Sequence, residues 1–173
     1  MNLVACTEER HGGAILEIFN HAIETSTALY DYRPRAPASM GPWFATKRAN
    51  GWPVIGAEDE QGALLGFASW GSFRAWPAYK YTVEHSIYVH HTQRGRGLGR
   101  ALLMALLDEA QAQGLHTMVG GIDVANTASI ALHRSLGFEH AGTIRHAGFK
   151  FGRWLDLALY QRILATPAAP VDG

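Results

Sequence analysis

Residues 81–124 run strand, glycine-rich turn, helix, strand, and no other stretch limits the possible folds so tightly. "YTVEHSIYVHH" is dense in β-branched and aromatic residues, the composition of a strand. "RGRGLG" follows, and then "LGRALLMALLDEAQAQG", in which Leu98, Leu102, Ala105, Leu106 and Glu109 line one side of a predicted helix that Gly114 stops. "HTMVGGIDV" is a second strand. A strand–helix–strand unit implies a sheet with helices packed on it. Upstream, "WPVIGAE" and "ALLGFASW" flank the turn signal "DEQG" and read as a hairpin. Hairpin and crossover together predict an α+β chain with a mixed sheet.

The remaining segments fit that class. "NLVAC" is a short first strand, and Thr7 caps a helix whose inner stripe is Ile15, Leu16, Ile18 and Phe19. "ETSTALYDYRPRAPAS" is a long connection with two tyrosines, and "MGPWFATKRANG" is a second helix. "SFRAWPAY" is an irregular aromatic link. Asn126 opens the helix "TASIALHRSLG", ended by Gly137, and "FEHAGTI", "HAGFKFG" and "WLDLALYQRI" make a strand-rich end. Residues 1–164 are expected to form one domain and 165–173 a flexible tail. Fifteen basic residues balance fifteen acidic ones, unlike a nucleic-acid binder. The sequence has no apolar run of membrane-spanning length and no signal-peptide pattern at its start. Cys6 is the single cysteine, read as a small buried residue rather than a nucleophile. A cytoplasmic location is expected.

The turn carries the chemistry. A helix N-terminus presents unpaired N–H groups and a partial positive charge. Glycines let the backbone wrap an anion closely, and Arg94, Arg96 and Arg100 add charge there, so a diphosphate is the fitting guest. No lysine followed by serine or threonine stands after Gly99, which excludes a P-loop, and the spacing Gly95, Gly97, Gly99 does not match the dinucleotide fingerprint. What remains is [QR]-x-x-G-x-[GA], met by Arg94, Gly97 and Gly99.

That pattern resembles the pyrophosphate loop of the GNAT superfamily of N-acetyltransferases. A second superfamily signature, N-x-x-[AS]-x-x-[LI]-[YH]-x-x-x-G-F, is met by Asn126, Ser129, Leu132, His133, Gly137 and Phe138. "TVEHSIYV", "QRGRGLG", "ALHRSLGF", "KFGRWLDL" and "IFNHAIETSTALYDYRP" are together similar to one branch, the phosphinothricin and methionine sulfoximine acetyltransferases. The likeness spans about residues 3–162; at His133 the wider superfamily more often has tyrosine, whereas histidine is typical of the branch. It implies a central twisted sheet of about seven strands flanked by about four helices, acetyl-CoA as cosubstrate, a small-molecule amine substrate and a homodimer; no metal is expected, because His85, His90 and His91 lack an HExxH-type helical spacing and a carboxylate partner.

The resemblance also implies roles. The backbone of Ile87, Tyr88 and Val89 would pair with the pantetheine arm, and Arg94, Gly95, Arg96, Gly97, Leu98, Gly99 and Arg100 would hold the pyrophosphate. Asn126 and Ser129 would bind the cofactor, and Asn126 reads equally as a plain helix cap. Glu84 would be the base, directly or through water, and His133 the acid for the leaving thiolate, against the plainer readings of an ion-paired glutamate and a packed histidine. His85 should face the opposite side of the strand from Glu84. Tyr30, Tyr32, Phe73, Arg74 and Ala75 would line the substrate site, with Arg74 clamping a carboxylate. Lys150 and Arg153 either reach the site, from this or a partner subunit, or only form a charged hairpin tip. The expected reaction is direct attack of an α-amine on the thioester in a ternary complex. Alternatives are acetylation of protein N-termini and a non-catalytic acetyl-CoA-binding module.

Overall fold

A computed structural model describes residues 1–172. The elements run β1 (Asn2–Ala5), α1 (Glu8–Thr25), α2 (Met40–Ala49), β2 (Val54–Glu58), β3 (Leu64–Ser72), β4 (Thr82–Val89), α3 (Leu98–Ala112), β5 (Thr117–Asp123), α4 (Thr127–Ser135), β6 (Glu139–Lys150) and β7 (Arg153–Ile163). The seven strands form one mixed sheet in the order β1-β2-β3-β4-β5-β7-β6. The β1/β2, β2/β3, β5/β7 and β6/β7 pairs are antiparallel, and β4 and β5 are parallel, as the crossover through α3 requires. No helix among the described residues is long and apolar enough to cross a membrane.

The chain divides into two compact units, residues 1–70 with 86–106 and residues 71–85 with 107–173. In the first, the Thr7 hydroxyl accepts the Arg10 N–H and starts α1, and Ile15, Ile18, Phe19 and Ala22 are its buried face. Phe19 sits edge-on to Phe67, Tyr88 and Trp43 at centroid distances of 5.0, 5.2 and 5.6 Å. Each such buried aromatic contributes roughly 2 kcal/mol from burial alone. Glu58, at the end of β2, is buried and fully paired: His11 Nε2–H donates to Oε1 at 2.8 Å, and Arg10 meets Oε2 at 2.8 Å. Cys6 follows β1, and burial, then Glu58, pushes its thiol up to about 12. A thiol so held is a packing residue, not a nucleophile.

In the second unit, Val83, Met118, Val119, Ile122, Phe138, Leu155, Ala158 and Tyr160 are buried. Two segments differ from expectation. The buried side of α3, whose residues up to Leu106 belong to the first unit, is Leu98, Leu102, Leu103, Leu106, Leu107 and Ala110, a broader stripe than the spacing suggested, with Ala105 and Glu109 half-buried at its rim. The segments "FEHAGTI" and "HAGFKFG" are not separate strands but one, β6, whose register shifts at His140/Gly142 and Ile144/Gly148. His146, with φ 52°, takes a left-handed conformation between them, an irregularity within the single strand. After β7, the Thr166 hydroxyl donates to the Leu115 carbonyl and the Val171 N–H donates to the Tyr81 hydroxyl.

Candidate active site

Taking the first unit by itself, a short turn, His91–Gln93, leads into the glycine-arginine segment and then α3. Gly95 and Gly97 have φ of 76° and 78°, a conformation that L side chains rarely adopt. A Cβ on either would meet no atom within 4 Å, so the ground in front of both is open. Arg94, Arg96 and Arg100 are exposed along it. Open left-handed backbone, a helix N-terminus and three cations form the donor set that a diphosphate needs, so these residues fit the pyrophosphate of acetyl-CoA. In β3, a Cβ on Gly66 would come within 2.8 Å of the Tyr88 carbonyl oxygen, so only glycine permits that approach to β4. Tyr30 lies partly exposed in the loop after α1, and Tyr32 is strongly exposed. His90 and His91 stack on one another, and His91 stacks on His21 at 4.0 Å.

In the second unit, the β4–β5 ladder pairs Thr82 with Thr117, Val83 with Met118 and Glu84 with Val119, although β4 runs on to Val89. Glu84 is half-buried, and burial raises its pKa above the ordinary 4.5, partly offset by the Arg74 guanidinium. Its carboxylate lies over Gly121, where a Cβ would stand 3.1 Å from Oε1. The Glu84 carboxylate thus lies within electrostatic reach of Arg74, and the sequence singled out both residues. Arg74 itself is exposed, donates to the Phe73 carbonyl at 2.8 Å and lies 4.3 Å over the Phe73 ring, with Ala75 exposed beside it.

His85 takes the other side of β4, over Gly120. Its Nε2 lies 3.1 Å from His133 Nε2, the rings stack at 5.0 Å, and Phe138 sits edge-on to both. His133 Nδ1 is 2.7 Å from the Ser129 carbonyl, which can only accept, so Nδ1 bears the proton. With a neutral ring, His133 Nε2 is then an acceptor and His85 Nε2–H the donor, which leaves His85 Nδ1 bare, and it is buried without a partner. Burial, then His133, pushes His85 down to about 3. Burial also lowers His133, against the bond to the Ser129 carbonyl. His133 is 4% exposed.

The Asn126 side-chain oxygen accepts the Ser129 N–H at 3.1 Å, so it does cap α4, and its amide nitrogen makes no hydrogen bond among the described residues. Arg153 pairs with the buried Asp123 at 3.3 Å, and Lys150 is buried with its ammonium 4.9 Å from the Phe151 ring. Among the described residues no group of three or more His, Cys, Asp or Glu side chains could hold a metal ion. The sequence reading missed Gly120 and Gly121, though a Gly-Gly pair inside a strand is itself a signal of close approach from both faces.

A model of the Acetyltransferase (GNAT) family matches residues 15–138. The chain is 48% identical over 157 residues to the L-methionine sulfoximine/L-methionine sulfone acetyltransferase of Pseudomonas aeruginosa, covering 90% of this chain and 91% of that one. It is similar to the structure of a GNAT superfamily phosphinothricin acetyltransferase from Sinorhizobium meliloti in complex with acetyl-CoA, with TM-score 0.92, 39% identity and coverage of 98% and 91%. The ribosomal-protein-alanine N-acetyltransferase of Brucella melitensis is similar at TM-score 0.92 and 40% identity, with coverage of 95% and 100%.

Proposed function

The chain belongs to the GNAT acetyltransferase family and is an acetyl-CoA-dependent N-acetyltransferase; we propose that it acetylates the α-amine of a small amino-acid analogue of the phosphinothricin or methionine sulfoximine and sulfone type, by direct attack in a ternary complex. The observation that supports this most is the half-buried Glu84 carboxylate, raised by burial, within electrostatic reach of the Arg74 guanidinium. A base for an α-amine beside a cation for an α-carboxylate is the complement of an amino acid's own two charges.

Acetyl-CoA, when bound, supplies the activated acetyl thioester. The N–H groups and guanidinia of residues 94–100 bind the pyrophosphate, and the termination of the β4–β5 ladder at Glu84 supports pantetheine pairing with the backbone of Ile87, Tyr88 and Val89. The amide nitrogen of Asn126 is a further donor to the cofactor, with Ser129 beside it. Glu84 accepts the proton of the attacking amine, directly or through water. Arg74 exchanges its Phe73 carbonyl for the substrate carboxylate, with Phe73 and Ala75 as walls. His133 is the group assigned to the leaving thiolate: as a neutral ring it donates its Nδ1–H as a hydrogen bond to the thiolate in exchange for the Ser129 carbonyl, because transferring that proton would leave an imidazolate. A homodimer through the β6–β7 hairpin is supported by Ile144, Phe149, Phe151 and Trp154, 46–57% exposed on that hairpin. The proposed location is the cytoplasm.

Free-thiol release from acetyl-CoA with a panel of amines tests the substrate reading. Fast turnover confined to methionine sulfoximine, methionine sulfone and phosphinothricin is the expected result. The likeness to the Brucella protein favours a second reading, acetylation of a protein N-terminus. Turnover with a short alanine-terminated peptide alone would establish it.

A further inference from the structure

We propose that Lys47 is itself an acyl acceptor, so that the cavity it lines in the first unit is a site of self-acetylation by acetyl-CoA. The cavity measures about 340 Å³ and is lined by Cys6, Thr7, Phe44, Trp52 and Val54, with Lys47 and the charged Glu9 and Arg48. Lys47 stands near the end of α2, one turn after Trp43. Its Nζ donates to the Trp70 carbonyl at 2.6 Å and lies 5.2 and 5.4 Å from the ring centroids of Trp43 and Trp52. Among the described residues no carboxylate stands within ion-pairing distance of it, whereas Arg10, Arg35 and Arg153 each have one. The ammonium is met by one carbonyl and two indole faces but by no carboxylate; a neutral amine can keep the bond to the Trp70 carbonyl and hold its lone pair towards the cavity. Burial alone pushes Lys47 down to about 8.

The step balances with the cosubstrate this family uses. The Nζ lone pair attacks the thioester carbonyl carbon, an N–C bond forms, the C–S bond breaks with its electrons going to sulfur, and the displaced amine proton neutralises the thiolate. The product amide keeps one N–H, which can still donate to the Trp70 carbonyl, and its methyl meets the Phe44 and Val54 side of the cavity. Cys6 shares the lining but is held as the thiol, so it does not compete.

The chain has three lysines, Lys47, Lys80 and Lys150, of which Lys80 is exposed and serves as an internal reference. The full-length protein would be incubated without any amine substrate, with acetyl-CoA in one arm and acetyl phosphate in another, from pH 7 to 10. Peptide mass spectrometry would follow each lysine before and after hydroxylamine, which strips thioesters but not amides. In both arms Lys47 is expected to gain a hydroxylamine-resistant acetyl group about tenfold faster than Lys80 at pH 8. Its rate should level off above about pH 8, while that of Lys80 keeps rising. Lys47→Arg should abolish that acetyl group and leave turnover of amine substrates unchanged. Modification of Lys47 no faster than Lys80, or none, in a preparation whose thermal melt is that of the folded protein would overturn the proposal. Failure of the amine panel would leave this result untouched, since neither arm contains an amine substrate.

Discussion

Glu84 and His85 are chain neighbours with opposite protonation tendencies, because a strand sends them to opposite faces and each face is differently closed. On one face Glu84 keeps some solvent and an arginine nearby; on the other His85 is sealed against His133 and Phe138. Burial disfavours the charged form of both, raising the acid and lowering the base. For Glu84 the folded pKa lies above 4.5, so the cost of its charge is fully present at neutral pH and fades as pH falls through the raised pKa. Glu84→Gln should therefore melt no lower than the parent at pH 7, with any gain vanishing towards pH 4, while kcat/KM falls about 100-fold. The surviving rate should rise with pH as the substrate amine deprotonates unaided. A full rate with an unchanged pH profile would remove Glu84 as the base. Gly120→Ala places a methyl at 2.9 Å from His85 Nε2 and 3.1 Å from His133 Nε2. Chemical denaturation should record a loss of about 2 kcal/mol.

At the scale of elements, the turn between β4 and α3 is built by conformation rather than by packing. Gly97 has a φ of 78° and empty space before it, so Gly97→Ala meets no clash and pays only for its left-handed backbone. A loss of about 1 kcal/mol is expected, together with a severalfold rise in KM for acetyl-CoA and little change in KM for the amine. Equal changes in both would separate this loop from the cofactor. The tie between β2 and the start of α1 is of another kind. Glu58 there holds both His11 and Arg10, and His11 Nδ1 accepts the Thr7 N–H at 2.9 Å. Glu58→Ala leaves a buried imidazole N–H without an acceptor and should cost about 3 kcal/mol, read by denaturant unfolding.

For the whole molecule, the proposed homodimer is tested at the exposed aromatics of the β6–β7 hairpin. Phe149→Glu combined with Trp154→Glu should convert a dimer to a monomer in sedimentation, and an unchanged mass would move the interface elsewhere. Strand and helix order, the caps at Thr7 and Asn126, and the glycine stops at Gly114 and Gly137 were all legible in the sequence, because each is a local choice between a few backbone conformations. The diphosphate-fitting loop was legible for the same reason: its chemistry lies in consecutive residues. Other features were hidden. That β6 is one strand rather than two, that Gly120 and Gly121 make room for side chains of β4, and that His85 and His133 share a hydrogen bond 48 residues apart depend on which strands became neighbours. Local pattern records what a residue prefers beside its chain neighbours. The protonation of Glu84, His133 and Lys47 instead follows from how much water the folded chain removes around them, a quantity that exists only once distant segments have packed.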